Sequence, residues 1–264
     1  MHGEKTVIHE LHINQTLENP EVDLTDRVVL ITGASRGVGA AAAQIAARAG
    51  ADVGINYRSK AKRAQQVADA VAAEGRRAEL FAADLTDQVA VRSMFDLTKA
   101  MFGRIDVLVL NASGGLEKDM PEDYSMVLNR DAQRHAAEAA IAVMEAGSVI
   151  VFVTSHLAHF YGDKPVMGSY ETVAAGKKAG ETALRDLMPQ MAAKGIRFAV
   201  VSGDLIDGTI TPKLLDRMNP GVIEQRRADT GWLPTTEDFA ASIILAAGRN
   251  DLEHGATVYV GSTD

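Results

Sequence analysis

Seven short apolar runs recur along the chain, each closed off by turn-forming residues: "RVVLITG" (27 to 33), "ADVGINY" (51 to 57), "AELFAAD" (78 to 84), "IDVLVLN" (105 to 111), "GSVIVFVTS" (147 to 155), "IRFAVVSG" (196 to 203) and "ATVYVG" (256 to 261). Runs this short and this continuously apolar predict strands buried on both faces. Between them lie Ala-rich segments with helical spacing, near 37–49, 60–74, 87–102, 122–145, 171–193 and 235–247. Alternation of strand and helix requires crossover connections, so the expected fold is α/β, a doubly wound parallel sheet of seven strands with helices on both faces.

Two stretches depart from this rhythm. Residues 1–24 precede the first run and show little periodicity, so they are expected to form an extension packing as an arm on an edge, leaving residues 25–264 as a single domain. Residues 205–232, "LIDGTITPKLLDRMNPGVIEQRRADTGW", break the alternation with Pro, Gly and short amphipathic pieces. A connection this long is expected to serve as a lid over a substrate site.

Composition narrows the function. The chain has 264 residues, 47% hydrophobic and 23% charged, as a compact globular protein does. Its 35 acidic against 27 basic residues give a net charge of −8, which argues against nucleic acid as a partner. Cysteine is absent, excluding disulfides and thiolate metal sites. "HELH" (9 to 12) lacks two histidines four apart, so no metal site is expected. The opening residues lack the regions of a signal peptide and the apolar runs are too short to span a bilayer, so a cytoplasmic protein without a membrane partner is expected.

The first run leads straight into "TGASRGVG" (32 to 39) and then a helix. Gly33, Gly37 and Gly39 allow a tight turn and close backbone approach to a phosphate, with Ser35, Arg36 and Val38 between them and a helix N-terminus behind. At the end of the second run a carboxylate would select NAD, but "NYRSK" has none. Arg58, Ser59 and Arg36 are instead suited to the 2′-phosphate of NADP. Asp84 and its neighbour Leu85 end the third run, and Asn111, Ala112 and Ser113 end the fourth; these are expected beside the adenosine, or as turn caps.

On these residues the chain resembles the short-chain dehydrogenase/reductase family over about residues 25–264: "TGASRGVG", "NAS" after the fourth run, Asn129 in the following helix, Ser155 ending the fifth run, and "VVSGDLIDGT" in place of a Pro-Gly turn. The resemblance implies a Rossmann fold, a nicotinamide cofactor, hydride transfer, and a homo-oligomer, tetramer or dimer. It also implies that Gly203, Leu205 and Ile206 line the cofactor, that Ser155 binds the substrate oxygen, and that Asn129 holds a structural water and bends its helix.

One spacing departs from the family. Four residues after Tyr170 stands Ala174, and the first lysine is Lys177. Six residues between Tyr and Lys is similar to the enoyl-thioester reductases, most of all the bacterial enoyl-[acyl-carrier-protein] reductase III type. On a straight helix, residues seven apart share a face but differ by ~10.5 Å of rise. A unit charge contributes roughly 4 kcal/mol at ~4 Å but about 1.7 at ~10 Å, with an effective dielectric near 20. Tyr170 must therefore curl back from before the helix if Lys177 is to assist it. In that branch the phenol stabilises an enolate oxygen while Lys177 holds the nicotinamide ribose.

A second aromatic hydroxyl is expected about ten residues before Tyr170; that position is Phe160, with Tyr161 beside it. Three functions follow: NADPH-dependent reduction of an enoyl thioester, reduction of a carbonyl through Ser155 and Tyr170 or Tyr161, or a silent NADP-binding protein. The substrate is expected to be a small molecule or a carrier-bound acyl group. His156 and His159 are expected in the loop after Ser155, exposed or reaching toward a substrate, Lys178 in solvent, and Met120, Met126 and Met167 in the core or lining the pocket.

Overall fold

The computed structural model describes residues 8–17, 22–117, 120–166, 168–209, 212–213, 216–217 and 220–264. Met167 and parts of both the extension and the 205–232 segment lie outside these residues.

The apolar runs fold as strands β2 (Val28–Ile31), β3 (Asp52–Tyr57), β4 (Ala78–Ala82), β5 (Val107–Leu110), β6 (Val149–Ser155), β7 (Arg197–Gly203) and β8 (Leu252–Val260). An eighth, β1 (Ile8–Ile13), comes from the extension. It pairs in parallel with β8, so among the described residues the sheet has eight strands rather than seven, in the order β1-β8-β7-β6-β5-β2-β3-β4. "IHELHI" escapes detection because it lies at a sheet edge with only Ile13 buried and a register break between Ile8 and Glu10.

Strand alternation sorts the core into two layers. Val29, Ile31, Val107, Val109, Val149 and Val151 face helices α1 (Gly37–Arg48), α2 (Ala61–Ala73) and α10 (Thr236–Gly248). On that side the sheet offers mainly β-branched side chains, and α1 and α10 meet them with alanines such as Ala42, Ala43, Ala46 and Ala240. Leu30, Leu108, Leu110, Ile150 and Phe152 face the opposite layer. It contains α3 (Gln88–Phe102), α5 (Ala132–Val143), the end of α7 (Glu171–Arg185) and α8 (Met188–Ala193).

Two predicted helices are interrupted. The 122–145 segment starts as α4 (Tyr124–Met126), widens into a π-helical turn at Val127–Asp131, and continues as α5. The 171–193 segment divides at Asp186 and Leu187, because Pro189 has no N–H to continue α7 and its ring would meet the carbonyl four residues back. Further helices are α6 (His156–His159) and α9 (Val222–Thr230), the latter within the expected lid.

β2 and β5 are neighbours, and the chain winds outward from them in opposite directions. A crevice beyond the carboxyl ends of such a strand pair is where doubly wound sheets bind ligands.

Candidate active site

The glycine loop between β2 and α1 is held from both sides. From β3, the buried Asn56 accepts the Gly33 N–H at 3.1 Å and donates to the carbonyls of Phe81 and Ala83 at 3.2 and 3.1 Å. From the end of β5, Asn111 Nδ2 donates to the Thr32 carbonyl at 2.9 Å, and Thr32 Oγ1 accepts the N–H groups of Asn111 and Ala112 at 2.9 and 3.1 Å. Gly33 adopts φ +63°, the left-handed region that favours glycine. A Cβ on Gly39 would stand 2.6 Å from Asn111 Nδ2 and 3.0 Å from the Gly33 carbonyl oxygen, so only glycine lets the loop approach β5.

α1 starts without a side-chain cap and without an acidic residue in its first turn. Its N-terminal N–H groups remain for an anionic ligand, and the helix dipole contributes roughly 0.3–1 kcal/mol to such binding. A cleft of about 580 Å³ opens there. It is lined by Gly33, Ser35, Arg36, Gly37, Val38 and Gly39 of the loop, Arg58 and Ser59 after β3, Asp84 and Leu85 after β4, and Asn111, Ala112 and Ser113 after β5. Lys60 and Arg63 add positive charge that sequence reading passed over, although "SKAKR" carries it. Asp84 also caps its own turn, accepting from the N–H and hydroxyl of Thr86 at 3.0 and 2.8 Å. Glycine cradle, uncapped helix and basic rim together fit a phosphorylated dinucleotide.

Val38 and Asn111 also line a second cavity of about 600 Å³. Ser155, Tyr170, Lys177, Gly203, Leu205 and Ile206 meet in it. Tyr170 ends a 3₁₀ turn, Gly168–Tyr170, and forms the N-cap of α7. It therefore precedes the helix that carries Lys177. Its ring is buried against Val173, Ala174 and Ala158. Its hydroxyl lies 3.2 Å from Ser155 Oγ, with either oxygen able to donate. Apolar walls come from Val153, Leu157, Phe160, Pro165 and Phe239.

One wall comes from residues 262–264. Arg226 of α9 donates to the backbone oxygens of Ser262 and Asp264 at 3.0 and 3.2 Å and pairs with the buried Asp204. Lys164 donates to the Thr263 carbonyl from the other side. Nothing in the apolar pattern points to this segment.

Two expected site residues lie elsewhere. Asn129 sits in the π-helical turn, where its Oδ1 accepts from Ser113 Oγ at 2.9 Å and its Nδ2 donates to the carbonyls of Gly114 and Ser125, both at 2.8 Å. It lines neither cavity and shapes the loop after β5. Tyr161 is turned toward Glu171, 3.4 Å away, and also lines neither cavity. Phe160, its neighbour, lines the second cavity instead.

The histidines are not in an exposed loop. Both belong to α6. His156 lines the second cavity with Nδ1 2.7 Å from Ser202 Oγ, and burial pulls its pKa down to about 3, so its ring is neutral. His159 pairs with the buried Glu181 at 2.7 Å and contacts Tyr259 at 3.1 Å. Lys178 donates to the His159 carbonyl at 2.5 Å rather than lying free in solvent, and Met120 is exposed rather than in the core. Among the described residues no cluster of three potential metal ligands occurs, and no helix is long and apolar enough to cross a membrane.

The profile of the short chain dehydrogenase family matches residues 27–219, most of the chain. The chain belongs to the short-chain dehydrogenase family. This short-chain dehydrogenase is similar to one from Burkholderia cenocepacia solved in complex with NADP, with 31% identity, a TM-score of 0.75, and coverage of 90% of this chain and 96% of that one. It is 31% identical over 202 residues to the 1-cyclohexenylcarbonyl-CoA reductase of Streptomyces collinus, covering 74% of this chain and 68% of the relative. It is also 39% identical over 140 residues to the hydroxynaphthalene reductase arp2 of Aspergillus fumigatus; that match spans 50% of each chain. The chain spans about half the length of the hydroxynaphthalene reductases that it matches.

Proposed function

We propose that this enzyme uses NADPH to reduce an activated carbon–carbon double bond, that of an enoyl thioester, in the manner of the enoyl-[acyl-carrier-protein] reductase III type. The observation that carries the reading is the pair of hydroxyls, Tyr170 and Ser155, 3.2 Å apart in an apolar cavity that Lys177 also lines. Bound NADPH would supply a hydride to the β-carbon, and water the proton that the α-carbon takes up as the enolate collapses. As negative charge develops on the thioester oxygen, the Tyr170 hydroxyl donates a hydrogen bond to it, and Ser155 orients that hydroxyl. Lys177 holds the ribose, and its positive charge adds to the field that favours the enolate. Val153, Leu157 and Phe160 take the acyl chain, and exclusion of water by these walls strengthens each polar contact.

NADP rather than NAD is favoured by Arg58, Lys60 and Arg63 in the cleft, and by the NADP held by the Burkholderia relative. The C=C reading is supported by the relative named a cyclohexenylcarbonyl-CoA reductase and by the Tyr170 to Lys177 spacing. A carbonyl substrate is the second reading, because the same hydroxyl pair can protonate an alkoxide and another relative is named a hydroxynaphthalene reductase. A homo-oligomer belongs to both readings and is checked by light scattering.

NADPH oxidation measured with a crotonyl thioester and with an acetoacetyl thioester separates the two. Turnover of the crotonyl compound alone supports the first, and turnover of the acetoacetyl compound alone replaces it with the second. Silence with both, despite tight NADPH binding, removes both.

A further inference from the structure

Arg58 follows β3 and Tyr124 opens α4, 66 residues later, yet Arg58 Nη1 donates to the Tyr124 hydroxyl at 2.5 Å. The Tyr124 ring is buried in the core layer that includes Leu85 and Leu128, so its hydroxyl is a fixed point at the cleft wall. No ion pair joins Arg58 to a carboxylate among the described residues. A carboxylate would have held the guanidinium equally well, but it would have neutralised the charge and competed with any bound phosphate. A phenol holds the side chain and leaves the charge intact. Burial, the largest influence, raises the Tyr124 pKa above its usual value although Arg58 opposes it, which keeps the phenol neutral. The guanidinium has five N–H donors in a planar fork, and Tyr124 occupies one of them.

We infer that Tyr124 is a positioning residue for cofactor choice, holding Arg58 in place to receive the 2′-phosphate of NADP. The inference rests on the reading that Arg58 meets that phosphate. Without Tyr124 a long, exposed side chain would have to be ordered when the cofactor binds, and ordering one such side chain weakens binding by about three- to tenfold.

The test measures dissociation constants of NADPH and NADH by calorimetric titration for the wild type, Tyr124→Phe, Arg58→Ala and the double variant. Phenylalanine keeps the ring and its packing, and retained NADH binding shows that each variant is folded. The expected result is NADPH binding about three- to tenfold weaker in Tyr124→Phe with NADH within twofold, and no further loss when Tyr124→Phe is added to Arg58→Ala. If Arg58→Ala weakens both cofactors equally, the reading of Arg58 itself is wrong. If Arg58→Ala is selective while Tyr124→Phe leaves NADPH unchanged, tightens it, or weakens both cofactors alike, Tyr124 has no part in cofactor choice and the inference is overturned.

Discussion

Replacing Tyr170 by Phe removes one oxygen and leaves the buried ring in place against Val173 and Ala174. In the resting enzyme the lost interaction is a single neutral hydrogen bond to Ser155 at 3.2 Å, worth roughly 0.5–1.5 kcal/mol net. For a chain of this size that lowers Tm by only about 2–4 °C per kcal/mol, so the variant should fold and bind NADPH as before. The transition state loses much more. A missing donor at a developing oxyanion costs about 10²–10³ in kcat, and because the Ser155 hydroxyl remains in the cavity the lower end, near a hundredfold, is expected. Ser155→Ala should also reduce kcat, and the two losses should combine to less than their product, since each hydroxyl orients the other. The assay is steady-state NADPH oxidation with the thioester that the wild type turns over, paired with direct titration of NADPH. A Tyr170→Phe enzyme keeping more than a third of wild-type kcat would remove the phenol from the chemistry.

Three further substitutions test separate parts of the structure. Gly39→Ala places a methyl 2.6 Å from Asn111 Nδ2 and should cost about 1–3 kcal/mol of stability and at least tenfold in NADPH affinity; calorimetric titration showing normal binding would contradict the cradle. His156, with its pKa near 3, is neutral when folded, whereas an unfolded chain protonates it below about pH 6.5. Its contribution is complete above that pH and fades as pH falls toward 3, by up to about 1.4 kcal/mol per unit, so in His156→Gln the urea midpoint should fall less steeply between pH 6.5 and 4; an unaltered slope would refute the assignment. Arg226→Ala removes the bonds to Ser262 and Asp264, leaving Lys164 alone on residues 262–264, and strands the buried Asp204, which should cost about 1–3 kcal/mol, reduced from a fully buried pair because Arg226 is a quarter exposed. KM for the acyl substrate should rise while NADPH affinity holds, and an unchanged KM would show that this wall does not touch substrate.

The strands that sit inside the sheet were legible because burial on both faces demands unbroken apolar residues, as in Val149–Val153. The glycine loop was equally plain, since its chemistry is local to eight consecutive residues. What sequence did not reveal depends on partners far along the chain. Asn56 looks like one more residue of β3 until Gly33, Phe81 and Ala83 converge on it. The π-helical turn at Asn129 was expected only as a bend; its cause is the set of bonds from Asn129 to Ser113, Gly114 and Ser125. Tyr161 and Phe160 could not be told apart as cavity residues, because one position around a short turn decides which side chain points inward. Tyr170 stands at the N-cap of α7, one residue ahead of the helix that carries Lys177, and shares a cavity with it.

β8 is nine residues long and buried without a break from Ala256 to Val260, and β1 is the strand that lies along its outer margin. Bare, that margin would present a row of unpaired N–H and C=O groups, the kind of surface that templates stacking between molecules. The six residues from Ile8 to Ile13, half-exposed and bearing His9, Glu10 and His12, therefore act as a solubilising hem: they end the ladder in charge and a register break where an aggregate could otherwise begin.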